Sequence, residues 1–201
     1  VNESDWQSGT TFSGLTAATS YTFYARYQAN GFYKGASPQS DGSDPAYTAY
    51  TAPDTNEGYF IDYAAETITV SDGYEVNTDS GFGTGTVVTS GSTVTPGQTF
   101  HVRKAASGST PASTAMANKI PDRPPAPDSS AYNIDYSSET ISFDDSFYNE
   151  YNCTRIGNSI IHNAPVSNGG NVTPGKTLAI CKKAVAGESF ESYALTVDLP
   201  D

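Results

Sequence analysis

An internal repeat constrains this chain more than any other feature, because a repeated sequence indicates a repeated structural unit. Residues 61–72 read IDYAAETITVSD and residues 134–145 read IDYSSETISFDD, with seven of the twelve positions identical. Further on, VTPGQTFHVRKA begins at Val94 and returns as VTPGKTLAICKK at Val172. The offset between the copies grows from 73 (134 − 61) to 78 (172 − 94), so the later copy holds about five additional residues between its matching blocks.

A partial copy precedes these two. TFYAR at 22–26 matches TFHVR at 99–103, and TAPD at 51–54 matches PAPD at 125–128. The first unit then holds only the C-terminal half of a repeat. Its opening strands are supplied by a neighbouring segment or by residues upstream of Val1, or they were lost where the chain was cut, and the sequence leaves these alternatives open. The matches predict three units, at 1–50, 51–124 and 125–201.

Within a unit the hydrophobic residues recur with a period of two, which predicts half-buried β-strands. Phe100 and Val102 alternate with His101 and Arg103, and segment 21–27 alternates in the same way. Turn sequences such as Thr-Pro-Gly separate the strands, and no window of ten or more residues has a helical period. The sequence therefore predicts an all-β fold. On the inner face of segment 21–27 we expect Tyr21, Phe23, Ala25 and Tyr27.

The linkers between units are short and rich in proline. PDRPPAP at 121–127 holds four prolines, a composition that favours an extended, semi-rigid joint. Stiff joints repeated along a chain predict an elongated rod.

Composition excludes several classes of function. The formal net charge of −12 argues against nucleic-acid binding, which needs a basic surface, and no apolar run approaches the length that spans a bilayer. Motifs of nucleophilic, metal-dependent or phosphate-binding enzymes are missing, so we predict a protein that is not an enzyme and has no cofactor. Glu66 and Glu139 recur in two repeats and are interpreted as turn or solvent residues. Asp41, Asp44, Asp144 and Asp145 could supply oxygen ligands, so a structural calcium ion is the one metal considered.

Residues 10–29, TTFSGLTAATSYTFYARYQA, resemble the later strands of fibronectin type III modules, in which a Leu-Thr-x-x-Thr-x-Tyr stretch leads into a strand. The IDY-x-x-ETI and TPG-x-T blocks are similar to Ig-like or fibronectin-like repeats of surface proteins from gut Firmicutes, including immunoglobulin-binding superantigens of Lachnospiraceae. The resemblance covers most of the chain. It implies tandem β-sandwich repeats on a bacterial cell surface or in a secreted protein.

The resemblance also implies a pairing for the two cysteines. In a fibronectin-like sandwich, Cys153 and Cys181 fall on neighbouring strands of one sheet, so a cross-strand disulfide is expected there. Two unpaired thiols are the alternative. By the alternation of the matching block, Cys181 takes the outward position that Arg103 takes in the second repeat.

Aromatic residues carry the binding potential of the chain, because tyrosine and arginine supply large contact areas at interfaces. The implied partner is a host protein or glycan, for example an immunoglobulin or a mucin. A passive stalk, and an accessory module of a secreted carbohydrate-active enzyme, are the other two interpretations. The candidate binding residues are Tyr24, Arg26, Phe32, Tyr33, Tyr148 and Tyr151.

Overall fold

A computed structural model describes residues 6–29, 35–143, 148–156, 159–164 and 166–201. Within these residues the chain forms β-strands and a short 3-10 turn, Ser129–Ala131, with no α-helix, so the all-β prediction is confirmed. The strands in chain order are β1 (Ser20–Tyr21), β2 (Ala46–Tyr47), β3 (Tyr59–Asp62), β4 (Thr67–Val70), β5 (Tyr74–Asn77), β6 (Val87–Val88), β7 (Ser92–Thr93), β8 (Thr99–Lys104), β9 (Met116–Lys119), β10 (Tyr132–Asp135), β11 (Thr140–Phe143), β12 (Tyr148–Ile156), β13 (Ser159–Ala164), β14 (Thr177–Lys182) and β15 (Leu195–Asp198).

The strands form five sheets, and the two largest have the same strand order. One is β6-β5-β8-β9 and the other is β13-β12-β14-β15. Their central pairs are antiparallel and in matching register, with Tyr74 opposite Lys104 and Tyr148 opposite Lys182. A three-stranded sheet β3-β4-β7 and the pairs β1-β2 and β10-β11 complete the set. The sequence repeat is thus matched by a repeated strand order.

The chain divides into two compact units. The first comprises Val1–Gly58, Val70–Val88 and His101–Asn118, and the second comprises Tyr59–Thr69, Thr89–Phe100 and Lys119–Asp201. The first unit buries Val76 and Val102 on its central strands, and the second has an apolar core on β11, β14 and the segments that flank them. The predicted boundaries at 50/51 and 124/125 stay predictions. The core cluster of the second unit consists of Ile141, Val172, Leu178, Ile180 and Leu199.

The alternation predicted for the central strands is confirmed on β8 and wrong in part on β14. Phe100 and Val102 are buried, while His101 and Arg103 are half-exposed. Cys181, which was expected to face outward like Arg103, is fully buried. The reason is that the third repeat has small side chains, Ala179 and Cys181, where the second repeat has histidine and arginine, and both faces of β14 are covered. Alternation therefore identifies which residues share a face, but not whether that face is covered.

A recurrent serine contact ends the central strand of each repeat. The N–H of Ser113 donates to the carbonyl of Lys104 at 3.1 Å, and its Oγ accepts from the N–H of Lys104 at 2.9 Å. Ser192 makes the same two contacts with Lys182, at 3.0 and 2.8 Å. One serine thus bonds both the carbonyl and the N–H of the lysine opposite it. In a regular antiparallel ladder the N–H would donate to a backbone carbonyl, and here it donates to the serine hydroxyl.

In the first repeat the serine contact occurs three times in succession. Ser37 pairs with Tyr27, Ser40 with Ala25 and Ser43 with Phe23. One chain advances three residues for every two on the other, which is a repeated bulge. The prediction of a regular strand over 21–27 is therefore wrong, and regular pairing is confined to β1 and β2. The predicted inner face of segment 21–27 is also wrong at its C-terminal end, since Tyr27 is 85% exposed.

The proline-rich linker between the second and third repeats is held by Arg123. Its Nη2 lies 2.5 Å from Oε1 of Glu66, on the second repeat, and its Nη1 donates to the carbonyl of Glu191, on the third, at 2.9 Å. Beside it the ring of Tyr63 meets the buried ring of Phe190 edge-on, with centroids 4.8 Å apart. Both neighbouring repeats therefore contact the linker through the guanidinium group of Arg123, and they contact each other through one aromatic pair.

The repeated IDY-x-x-ETI block folds into a hairpin turn. The Oδ1 atom of Asp62 accepts from the N–H groups of Ala64 and Ala65, and Asp135 accepts from Ser137 and Ser138 in the same way. Such contacts between a carboxylate and the backbone two or three residues on define an Asx turn. Glu66 and Glu139 close the two turns with φ of 54° and 51°. Their recurrence therefore follows from turn geometry.

The turn predicts a pH dependence of stability. The hydroxyl and N–H groups of Ser137 and Ser138 hold the pKa of Asp135 at about 2, below its ordinary value of 3.8. A lowered pKa stabilises the folded state above pH 4, and this contribution is lost as the pH falls toward 2. We expect the free energy of urea unfolding to be higher for the natural chain than for Asp135→Asn at pH 6, with a gap that closes by about pH 2. Asp41→Asn removes the same charge elsewhere and serves as the control, and a gap independent of pH would contradict the assignment.

Candidate binding surface

Three tyrosines of the first repeat are exposed: Tyr47, which is 41% exposed on β2, and two that share segment 21–27. Tyr24 is 39% exposed, as its predicted outward position requires, and Tyr27 is 85% exposed. They lie three residues apart on the segment that the serine contacts hold in place. The prediction missed Tyr27 because its position in the alternation is an inward one. The prediction that the first unit is only part of a repeat was the signal that could have identified it, since a partial repeat would leave part of an inner face uncovered.

The ring of Tyr24 lies directly against the backbone of Gly42. A Cβ atom at residue 42 would come within 3.2 Å of Cε1 of Tyr24 and 2.7 Å of Cγ2 of Thr22. The distance to Thr22 is shorter than real Cβ contacts and the distance to Tyr24 is tighter than most of them, so a side chain at residue 42 would displace Thr22 and press against the Tyr24 ring. The ring is thereby restricted before any partner arrives, which lowers the entropy cost of binding.

Arg26, the second predicted residue on this segment, is engaged within the chain. Its guanidinium carbon lies 4.2 Å from the centroid of the Trp6 ring, within the range of a cation–π contact. The residue is half-buried, and Trp6 is half-buried as well. Arg26 therefore stabilises the first repeat, and a partner would reach its guanidinium only beside the indole.

Further aromatic contacts support the segment from its other end. The ring centroids of Phe12 and Phe23 lie 4.6 Å apart, and the ring of Tyr21 stacks on Phe23 with centroids 6.4 Å apart. The Oη of Tyr21 accepts a hydrogen bond of 2.8 Å from the backbone N–H of Thr16. A tyrosine hydroxyl bonded to backbone a few residues upstream is known from Ig-like sandwiches as a tyrosine corner. These contacts fix the start of the segment that carries Tyr24 and Tyr27.

The remaining predicted residues are not brought to this surface by anything that the structure describes. Phe32 and Tyr33 lie outside the described residues. Tyr148 and Tyr151 are on β12, opposite Lys182 and Ala179 on β14, and only their backbone is described. The predicted binding set therefore reduces to Tyr24 and Arg26, with Tyr27 added.

The two cysteines lie on neighbouring strands, β12 and β14, as the resemblance implies. The register, however, sets Asn149 opposite Cys181, and Cys153 opposite His162 of β13. Cys153 is four residues (153 − 149) further along β12, whereas a disulfide needs Cα atoms within about 7 Å. A bond between them would require these strands to shift from this register, and the disulfide stays a prediction.

Three groups with shifted pKa values touch one another in the first unit. Glu57 accepts a short hydrogen bond from the Tyr74 hydroxyl, and Nζ of Lys104 lies 3.4 Å from the same carboxylate. The Tyr74 hydroxyl lowers the pKa of Glu57, and Glu57 in turn raises the pKa of Tyr74 and of Lys104. Each shift holds its group in the state that it already has at neutral pH. The cluster is therefore an ion-pair network and not a general acid or base poised for catalysis.

The described residues hold no group of three or more histidine, cysteine, aspartate or glutamate side chains placed to bind a metal ion, although Asp144 and Asp145 lie outside them. In the same part of the chain, no helix has both the length and the apolar character needed to cross a membrane.

Comparison of the sequence with models of known protein families and with curated proteins finds no match.

Proposed function

We propose that this chain is a non-catalytic repeat region of a secreted or cell-surface bacterial protein, and that its first repeat binds a host protein or glycoprotein. The observation that carries the proposal is the pair Tyr24 and Tyr27, which are 39% and 85% exposed on a segment fixed by serine contacts and aromatic packing. Tyrosine buries a large area at an interface while losing little rotamer entropy, so exposed and fixed tyrosines suit recognition. The bond between Tyr21 and Thr16 supports the fibronectin-like resemblance of this repeat.

Charge favours one class of partner over another. The net charge of −12 repels sialylated or sulfated mucins, which are polyanions, and opposes their approach at low ionic strength. An immunoglobulin carries no such uniform negative charge. Of the partners that the resemblance implies, an immunoglobulin is therefore the better fit.

A passive spacer is the second candidate, and a separate observation favours it. Arg123 of the linker contacts both the second and the third repeat, and Phe190 of the third repeat packs against Tyr63 of the second. A stalk needs this kind of fixed joint. The two candidates are compatible, because a spacer formed by the later repeats could present a binding surface on the first.

The proposal predicts saturable binding of an immunoglobulin. Biolayer interferometry of the 201-residue chain against IgG, IgA and mucin measures it directly. We expect the double variant Tyr24→Ala/Tyr27→Ala to weaken binding at least about tenfold, because both exposed anchors are lost. Gly42→Ala should weaken it by a smaller factor, since it presses against the Tyr24 ring without removing it.

The matched control is Tyr136→Ala, which removes a tyrosine that is 64% exposed in the third repeat. It should change the affinity by less than about twofold. If the double variant bound as tightly as the natural chain, the first repeat would not be the binding surface. If the folded chain bound none of the three probes, the binding proposal would fail and the spacer would stand.

A further inference from the structure

The third repeat has an edge strand, β13, that is longer than the other described edge strands. Strand β13, Ser159–Ala164, is six residues long and pairs with β12 at one border of the sheet β13-β12-β14-β15. Residues 152–156 of β12 pair with β13 alone in the described register, while residues 148–151 pair with β14. The hairpin of β12 and β13 therefore extends past the part of the sheet that β14 borders.

Edge strands elsewhere in the described chain are short or charged, as expected of edges protected against association. The corresponding edge of the second repeat, β6, has two residues, Val87 and Val88. The opposite edge of the third repeat, β15, has four residues and ends at Asp198, with Pro200 soon after it. All the described edge strands other than β13 are two to four residues long. Among the described edge strands, β13 is therefore the longest, with six residues.

The sequence of β13, SIIHNA, contains no aspartate, glutamate, lysine, arginine or proline. An uncharged edge of this length presents a row of backbone N–H and C=O groups that another strand can pair with. The chain as a whole carries a net charge of −12, so a stretch of six residues without acids is one place where two copies can approach.

We propose that two copies of this chain associate by antiparallel pairing of their β13 strands. Such an interface is symmetric, because the same strand contributes to both sides of a two-fold axis. With the axis between residues 160 and 161, Ile160 of one copy lies opposite Ile161 of the other, which gives two apolar cross-strand pairs. The four-stranded sheet then continues into the second copy as an eight-stranded one.

The interface is small, so the dimer is weak, with a dissociation constant on the order of 100 µM. The net charge of each copy opposes it, since two chains at −12 repel each other. Salt screens this repulsion. Raising the ionic strength should therefore tighten the dimer, whereas an interface held by ion pairs would weaken.

Sedimentation velocity of the 201-residue chain over a wide concentration range tests the proposal. We expect the sedimenting mass to approach twice that of the monomer at about 1 mM, and the dissociation constant to fall at least about threefold between low and high salt. Ile161→Lys places a charge on the edge and should weaken association at least about tenfold. Thr196→Lys makes the same charge change on β15, the opposite edge, and should alter it by less than about twofold.

Hydrogen exchange of the natural chain provides a test that does not depend on a variant. The amides of residues 159–164 should become more protected as the concentration rises, while those of β15 should not. A chain that stays monomeric throughout would overturn the proposal. So would a dimer that Ile161→Lys leaves intact, or one that Thr196→Lys disrupts instead. Association of β13 with strands of other proteins, but never with itself, would also overturn it.

Discussion

Replacing Phe190 with alanine should lower the free energy of unfolding of the unit that contains it by about 3–5 kcal/mol. The Phe190 side chain is fully buried, and it packs edge-on against Tyr63 of the second repeat. The guanidinium of Arg123 lies 5.8 Å from its ring. Removing the ring would leave a cavity between partners that other contacts hold in place, so the site cannot collapse to fill it.

The matched control for this prediction is Phe60→Ala. Phe60 lies on β3 and is 58% exposed, so its removal should cost less than about 0.5 kcal/mol. Urea unfolding followed by circular dichroism measures both variants, because the single tryptophan, Trp6, belongs to the other unit. Equal losses for the two variants would mean that Phe190 is not an anchor of the joint. The spacer candidate would then lose the observation that favours it.

The all-β class and the faces of β8 could be predicted from the sequence because both depend on local periodicity. Phe100 and Val102 are two residues apart on a regular strand, and a regular strand puts them on one face. The interpretation of Glu66 and Glu139 as turn residues is also local, since the Asp135 carboxylate of the same turn accepts from backbone groups two and three residues on. Where one stretch of chain determines its own structure, the sequence pattern is sufficient.

The features that the sequence did not predict depend on segments that are distant in the sequence and pack or pair against the residues concerned. The burial of Cys181 depends on layers contributed by distant segments. The irregular pairing of segment 21–27 depends on Ser37, Ser40 and Ser43, which recur with a period of three on a partner stretch. No alternation within 21–27 reveals that period. The exposed Tyr27 lies on the same irregularly paired segment.

Linker composition predicts a stiff joint, but it does not identify the contacts that hold the linker. Four prolines between 121 and 127 indicate a stiff segment. The contacts that hold this segment come from Arg123, which reaches Glu66 and the carbonyl of Glu191. These partners are 57 and 68 residues away in the sequence, so no local pattern could have named them.

The serine contacts lead to the second prediction. Ser192→Ala should lower the free energy of unfolding by about 2 kcal/mol. Ser192 is buried, and its Oγ accepts from the N–H of Lys182 at 2.8 Å and donates to the carbonyl of Tyr193 at 2.8 Å. Alanine removes this acceptor and donor in a place that water does not reach, so the two backbone groups each lose a partner.

Ser43→Ala in the first repeat tests whether the cost of losing the serine contact comes from the hydrogen bonds or from their burial. Ser43 makes the same contact, with its Oγ accepting from Phe23 N–H at 3.0 Å, but it is exposed to solvent. Water can replace its hydroxyl, so the loss should stay below about 0.5 kcal/mol. Ser113, which is buried like Ser192, should behave like Ser192. If all three substitutions cost the same, the stabilisation would come from the hydrogen bonds alone, and burial of the serine would not matter. If only the buried pair is costly, the serine contact stabilises the second and third repeats far more than the first. The segment carrying Tyr24 and Tyr27 is then held mainly by the aromatic contacts of Phe12, Tyr21 and Phe23.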